Sequence, residues 1–149
     1  MSGTLAAAIE RGLSVFGVCL GLQGMVEHFG GTLGVLPAPV HGKPSLVRVR
    51  GGRLFEGLPH EFIAGRYHSL FARPETLPPT LRATADADDG VIMAVEHTEL
   101  PLSAVQFHPE SIMSLGDDLG VRLIANAVTQ VRPLASPLTA LSLLRIAPP

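Results

Sequence analysis

The chain has only one cysteine and only one lysine, and its 149 residues carry a net charge of −2. A single cysteine cannot form an internal disulfide, which suits a reducing cytoplasm. The small net charge gives no electrostatic argument for binding nucleic acid or an anionic membrane. No apolar run approaches the roughly 20 residues that span a bilayer, and the segment before Glu10 lacks the basic residues of a signal peptide.

The six histidines are scattered, without cysteine or carboxylate neighbours at ligand spacing. We therefore expect no metal site and no cofactor. The length and the hydrophobic content of 46% are sufficient for one domain with a substantial core.

The hydrophobic pattern predicts an α/β fold with a mixed sheet. Helices are expected at residues 4–11, 20–29 and 117–131, and strands at 13–18, 32–36, 45–50, 61–71, 81–85, 91–96 and 102–107. Strand 13–18 has no polar alternation, which predicts burial on both faces. The closely spaced strands from 81 to 107 suggest an antiparallel section, and the proline-rich stretch 37–44 is expected to be a loop.

The only cysteine, Cys19, lies between Gly17 and Gly21, where the apolar strand should turn sharply into a helix. This is the arrangement of a nucleophile elbow, with sulfur in place of the serine oxygen. Glycine at both flanks would let the turn form and let the backbone approach closely. A thiol at a helix N-terminus is also expected to favour its thiolate form. The alternative is a buried cysteine that acts as a small hydrophobic side chain.

A second candidate group is Gln106-Phe-His108-Pro-Glu110, which follows another apolar strand. His108 would emerge at a strand end, where open α/β sheets place their sites. Histidine is the usual base for a thiol nucleophile, and Glu110 could hold its tautomer. A surface turn is the alternative for this motif alone. Together with Cys19 it completes a nucleophile, a base and an orienting carboxylate.

These two motifs, Gly17-Val-Cys19-Leu-Gly21-Leu-Gln23 and Gln106-Phe-His108-Pro-Glu110, resemble those of the class I (triad) glutamine amidotransferases. The residues of these motifs most closely resemble those of the glutaminase component of anthranilate synthase and of aminodeoxychorismate synthase. His41-Gly42-Lys43 and Arg66-Tyr-His-Ser-Leu70 resemble segments of the same chorismate-using branch. The resemblance covers about residues 3 to 130. It implies a flavodoxin-like class I amidotransferase fold.

The resemblance also implies a division of roles. Cys19 would attack the carboxamide of glutamine, His108 would transfer protons, and Glu110 would orient His108. The ammonia would pass to a synthase subunit or fused domain that aminates chorismate, in a cytoplasmic biosynthetic pathway. His41, Gly42 and Lys43 would lie near that partner, although a solvated loop charge is an equal alternative for Lys43.

The glutamine substrate would contact a second group of residues. Leu20 would offer its backbone N–H to the oxyanion because it follows the nucleophile. Gln23 would line the pocket, and Ser69 with Leu70 would bind the amino-acid end of the substrate through backbone groups. A solvated helix face is the alternative for Gln23, and a plain loop hydroxyl is the alternative for Ser69.

The sequence departs from the family at both ends. From the resemblance, residues 1–131 are expected to correspond to the amidotransferase domain without its N-terminal strands and without the glycine-rich loop that supplies a second oxyanion donor. Residues 132–149 are expected to form a tail of unknown role. Three readings therefore stand beside anthranilate synthesis: the glutaminase of aminodeoxychorismate synthase, a catalytically silent remnant, and a triad hydrolase that acts on γ-glutamyl bonds without a synthase.

Overall fold

The computed structural model of the chain describes residues 2–114 and 116–129. The α-helices in this part are α1 (Ser2–Glu10), α2 (Leu20–His28) and α3 (Leu119–Thr129). The strands are β1 (Val15–Val18), β2 (Leu33–Val49), β3 (Glu61–Ala72), β4 (Leu81–Ala87), β5 (Ile92–His97) and β6 (Leu102–Val105). Short 3-10 turns lie at Arg53–Phe55, Pro74–Thr76, Ile112–Ser114 and Gly116–Asp118. No helix in these ranges is long and apolar enough to cross a membrane.

The six described strands form one mixed sheet in the order β1-β6-β5-β4-β2-β3. β1 and β6 run parallel, whereas the other neighbouring pairs are antiparallel. This confirms the mixed α/β sheet and the antiparallel section formed by residues 81–107. The expected tail 132–149 and the last two residues of the expected domain, 130 and 131, lie outside the described residues.

The sheet is covered on both faces. The side chains that α1 and α2 bury, including Leu22, Met25 and Val26, form one cluster with Leu102 and Ala104 of β6. A second cluster joins α3 to the remaining face, and its members include Leu123, Val105, Met93 and Phe107. Successive residues of a strand point to opposite faces, so Ala104 and Val105 enter different clusters. All six residues of β5 are buried because both of its faces are covered.

Two expectations about strands were wrong. The stretch 37–44 is not a loop but part of the long strand β2. Its pairing with β3 is interrupted by register shifts between Val35 and Val40 and between His41 and Lys43. The first interruption contains Pro37 and Pro39, which have no N–H to donate to a ladder, so the strand continues past them without regular pairing.

The strand β1 also differs from the expectation. Its four residues are mostly half-buried rather than buried on both faces; only Gly17 is fully buried. The reason is its place in the sheet, because β1 pairs with β6 alone among the described strands. Leu13 and Ser14, expected to belong to the strand, precede it.

Gly17 is where the strand and the helix that follows it come closest. A Cβ atom placed on Gly17 would lie 2.9 Å from the carbonyl carbon of Gly21, so the two backbones touch without side chains between them. The same test at Gly21 finds no atom within 4 Å. The requirement for glycine therefore holds for Gly17, whereas the space around Gly21 would accept a side chain.

These two glycines form a matched pair for a stability measurement. We expect Gly17→Ala to lower the free energy of unfolding by about 1–3 kcal/mol, since the new methyl group must push the backbone of α2 away. Gly21→Ala should leave it unchanged or raise it by up to about 1 kcal/mol, because alanine favours the helix. Urea denaturation followed by circular dichroism measures both. Equal effects of the two substitutions would contradict this account of the packing.

His97, the last residue of β5, is buried and holds the turn that follows. Its Nδ1 accepts hydrogen bonds from the backbone N–H groups of Glu99 (3.1 Å) and Leu100 (2.9 Å), so this nitrogen carries no proton. Burial lowers the pKa of His97 below its ordinary value. Burial also lowers the pKa of His68 in β3. Both rings are therefore folded in their neutral forms.

The depressed pKa values give stability a defined pH dependence. As the pH falls below about 6.5, the unfolded chain takes up protons that these two folded rings do not accept, so the free energy of unfolding decreases. This stability contribution is fully present above that pH. Asparagine can retain the acceptor at position 97 without titrating, so His97→Asn should make the decrease shallower. Urea denaturation at a series of pH values tests this; an unchanged slope in His97→Asn would contradict it.

Candidate active site

The parallel pairing of β1 with β6 brings the two sequence motifs to one edge of the sheet. Val18 and Val105 are register partners at the ends of these strands. One residue later, the backbone N–H of Cys19 donates to the carbonyl of Val105 at 2.7 Å. The residues that follow each strand, Cys19 on one side and Gln106 to Glu110 on the other, therefore leave the sheet side by side.

Cys19 has a backbone conformation that is unusual for a residue with a side chain. Its φ of 52° and ψ of −97° lie outside the helical region, and it precedes the first residue of α2. A non-glycine residue at positive φ costs on the order of 1–3 kcal/mol, which the surrounding structure must offset. This agrees with the expected sharp turn from strand to helix, the geometry that holds a nucleophile at the top of a sheet.

The environment of the thiol differs from the expectation of a favoured thiolate. Burial raises the pKa of Cys19, and the negative charge of Glu110 acts in the same direction. The backbone N–H of Leu20 and the side-chain amide of Gln106 act in the opposite direction, but they do not offset burial. The thiol is therefore mostly protonated at neutral pH, and any nucleophilic role requires a base.

His108 and Glu110 form the hydrogen bond that the sequence predicts. Nδ1 of His108 lies 2.5 Å from Oε1 of Glu110. Since an ionised carboxylate can only accept, Nδ1 carries the proton and Nε2 is left as the basic nitrogen. The backbone of His108 is anchored on β3, because its N–H donates to the carbonyl of Gly65 at 3.0 Å. The buried hydroxyl of Ser114 also donates to the carbonyl of His108 at 2.7 Å.

Gln23 does not lie on a solvated helix face. It is buried, and its Nε2 donates to the carbonyl of Leu70 at 3.2 Å and to Oε1 of Gln106 at 3.3 Å. Gln23 therefore joins Leu70, which like Gln23 is expected to contact the substrate, to Gln106, which lies next to the thiol. Ser69 is half-buried on β3, directly before Leu70, whose side chain is exposed.

His41, Gly42 and Lys43 are exposed on β2 rather than on a loop. His41 is nevertheless linked to the site by a series of edge-on ring contacts. The ring of His41 lies edge-on to that of Tyr67 at a centroid distance of 5.5 Å, and Tyr67 lies edge-on to His108 at 5.2 Å. The backbone of Gly42 has a positive φ of 63°, which favours glycine at the second register shift.

Sequence reasoning gave no role to three buried polar residues beside this site: Gln106, Arg66 and His68. Gln106 Nε2 lies 3.5 Å from the Sγ atom of Cys19. Arg66 and His68 are two residues apart on β3, so their side chains share one face of the strand. This pair of polar residues on one face of a strand with buried apolar neighbours was the signal that could have pointed to a role for them. Within the described ranges, no group of three or more histidine, cysteine or carboxylate side chains could hold a metal ion.

Three known proteins match most of this chain in sequence. An anthranilate synthase of Azospirillum brasilense is 60% identical over 131 residues, a match that covers 88% of this chain and 18% of that protein. An aminodeoxychorismate synthase of Streptomyces griseus is 52% identical over 125 residues, which cover 83% of this chain and 17% of that protein. An anthranilate synthase component 2 of Methanocaldococcus jannaschii is 46% identical over 125 residues, covering 80% of this chain and 62% of that protein. The chain thus spans only part of the length of each relative.

Solved structures support the same architecture. A glutamine amidotransferase from Thermotoga maritima superposes with a TM-score of 0.65 at 15% identity, covering 97% of this chain and 64% of that one. At this identity the likeness concerns the fold alone. The sequence model of the family described as glutamine amidotransferase class-I matches residues 1–128. With its mixed α/β sheet and this match over most of its length, the chain belongs to the class-I glutamine amidotransferase family.

Proposed function

We propose that the chain hydrolyses glutamine and supplies ammonia for the amination of chorismate to anthranilate, the amidotransferase step of tryptophan biosynthesis. The observation that carries the proposal is the pairing of Val18 with Val105, because it sets Cys19 beside the segment that contains the His108–Glu110 hydrogen bond. The 60% identity to an anthranilate synthase supports the choice of pathway. A cytoplasmic location follows from this biosynthetic role and is part of the proposal.

The reaction needs four proton transfers, and all of them can pass through His108. His108 removes the proton of Cys19, and the sulfur attacks the side-chain carboxamide carbon of glutamine. The resulting tetrahedral intermediate collapses when His108 protonates the nitrogen, which releases ammonia and leaves a γ-glutamyl thioester. His108 then removes a proton from water, and the hydroxyl attacks the thioester. The second tetrahedral intermediate collapses, glutamate leaves, and His108 returns the proton from water to the sulfur, which restores the thiol.

The raised pKa of Cys19 gives His108 a defined task in this scheme. Because little thiolate is present before the substrate arrives, proton removal by the base is part of the attack itself. Glu110 keeps the proton of the imidazole on Nδ1 and stabilises the imidazolium ion that forms. The backbone N–H of Leu20, which already favours negative charge on the sulfur, is the candidate oxyanion donor.

Glutamine would bind with its amino-acid end towards β3. Ser69 and Leu70 offer backbone groups there, and Gln23 forms one wall through its bonds to Leu70 and Gln106. The synthase partner, a separate subunit or a fused domain, would approach the exposed residues His41, Gly42 and Lys43. The ring contacts from His41 through Tyr67 end on His108, the proposed base.

A second candidate function is the glutaminase of aminodeoxychorismate synthase, in folate biosynthesis. The 52% identity to the Streptomyces griseus enzyme favours it, and the chemistry at Cys19 would be the same. The two candidates differ only in what the synthase makes from chorismate. Product analysis with each synthase partner therefore separates them.

Cys19→Ala tests the division of labour. In a mixture of the chain with a chorismate-using synthase subunit, we expect the variant to lose glutamine-dependent product formation, because no thioester can form. Synthesis from added ammonia should continue, since it does not need the thiol. Loss of the ammonia-dependent reaction as well would contradict the proposal. A wild-type chain that folds and binds its partner, yet releases no ammonia from glutamine, would identify a catalytically silent domain instead.

A diazoketone analogue of glutamine tests the base. We expect it to label Cys19 stoichiometrically, as seen by mass spectrometry, and labelling should be at least about 10²-fold slower in His108→Ala because the thiol is then no longer activated. His60→Ala removes an exposed histidine outside the site and serves as the control. Equal labelling rates in His108→Ala and His60→Ala would exclude His108 as the activating base.

A further inference from the structure

A chain of hydrogen bonds runs through the protein interior to the thiol, and the reaction scheme above does not use most of it. It starts at Asp89 on the surface, where Oδ2 accepts from Nη1 of Arg66 at 2.9 Å. It continues through His68 to the carbonyl of Leu70, and from there through the amides of Gln23 and Gln106 to Cys19. The side chains between the two ends are almost fully buried.

In the first half of this hydrogen-bond network, each donor and acceptor can be assigned in only one way. Nε of Arg66 is 3.1 Å from Nε2 of His68, and because arginine can only donate, Nε2 must accept. The proton of the neutral ring therefore lies on Nδ1, which donates to the carbonyl of Leu70 at 2.8 Å. Burial, which lowers the pKa of His68, keeps the ring in this neutral form.

The second half is fixed in the same way. The Nε2 atom of Gln23 has two protons, one for the carbonyl of Leu70 and one for Oε1 of Gln106. The amide of Gln106 is thereby oriented with its Nε2 towards the sulfur of Cys19, at 3.5 Å. A side chain that could rotate by half a turn in isolation is thus held in one orientation, with a donor facing the thiol.

We infer that Arg66, His68 and Gln106 are positioning residues of the glutaminase site, a proposal that rests on the function proposed above. Arg66 and His68 hold the carbonyl of Leu70 and, through it, Gln23 at the substrate pocket. Gln106 orients the sulfur of Cys19 for attack. Arg66 and His68 lie on β3, and Gln106 lies in the segment after β6. The network therefore connects the pocket wall on β3 with the nucleophile.

Gln106→Met tests the end of the network at the thiol without depending on glutamine turnover. Methionine fills a similar volume but cannot donate, so less thiolate should be present at a given pH. We expect iodoacetamide to alkylate Cys19 about 3- to 10-fold more slowly at pH 7 than in the wild type, with the midpoint of the pH profile moved upwards. The control is Thr84→Val, another buried polar-to-apolar change, whose hydroxyl has no hydrogen-bond partner. An unchanged profile in folded Gln106→Met would overturn the role of Gln106.

Two substitutions of His68 test the pocket end. His68→Leu removes the donor to Leu70, whereas the amide of His68→Asn can keep it. We expect KM for glutamine to rise several-fold in His68→Leu with a much smaller change in kcat, and the asparagine variant to recover most of the loss. A purely structural role would lower the denaturation midpoint of both variants and leave KM unchanged, which would overturn the inference. If His68→Leu fails to fold, Arg66→Lys, which loses the guanidinium, takes its place. KM for glutamine is then compared between Arg66→Lys and His68→Asn.

The outcomes also separate this inference from the proposed function. If the wild type releases ammonia and none of the variants differs from Thr84→Val, the network has no positioning role although the function stands. If the wild type is inactive but Gln106→Met slows alkylation, the function fails while the network still controls the thiol. In that case, protection of Cys19 from iodoacetamide by glutamine replaces KM as the measure of the pocket, and the absence of protection would overturn the role of His68.

Discussion

The parallel ladder between β1 and β6 is the constraint on which the candidate site depends. Cys19 and His108 are far apart in the chain, and the paired ends of these two strands bring their segments together. The hydrogen bond from the N–H of Cys19 to Val105 extends the pairing by one residue into the turn. Because β1 has one described neighbour, a substitution that weakens this ladder would act on the fold and on the site at once.

The site uses burial in two ways that oppose each other. Burial raises the pKa of Cys19, which makes the isolated thiol less reactive. The same burial strengthens the hydrogen bonds that reach the sulfur, since they act in a medium of low dielectric constant. A thiol that remains protonated until the substrate binds beside it is less exposed to adventitious alkylation and oxidation. The strained backbone at Cys19 adds to this arrangement, because it fixes the sulfur at the end of the sheet rather than in the core.

Much of the fold and of the central part of the site could be predicted from the sequence. The cysteine between two glycines and the histidine two residues before a glutamate are local patterns with a direct chemical reading, and the strands before them have clear hydrophobic signals. The stretch 37–44 was misjudged because prolines argue locally for a loop, whereas the long edge of β3 supplies partners for the residues around them. Arg66 and His68 were missed for a related reason. Their partners, Asp89 and Leu70, are fixed by tertiary packing, and one sequence gives no pairing information of that kind.

The scarcity of reactive side chains has a practical consequence. Cys19 is the only thiol of the chain, and Lys43 is its only side-chain primary amine. The first lies at the sheet edge, and the second is exposed on β2, on the surface proposed to face the synthase. Two fluorophores with different coupling chemistry could therefore be attached at two known points without removing any native residue. A glutamine analogue that carries one of the fluorophores would place it on Cys19, and a change in energy transfer to the second fluorophore on Lys43 would report a partner that binds this surface.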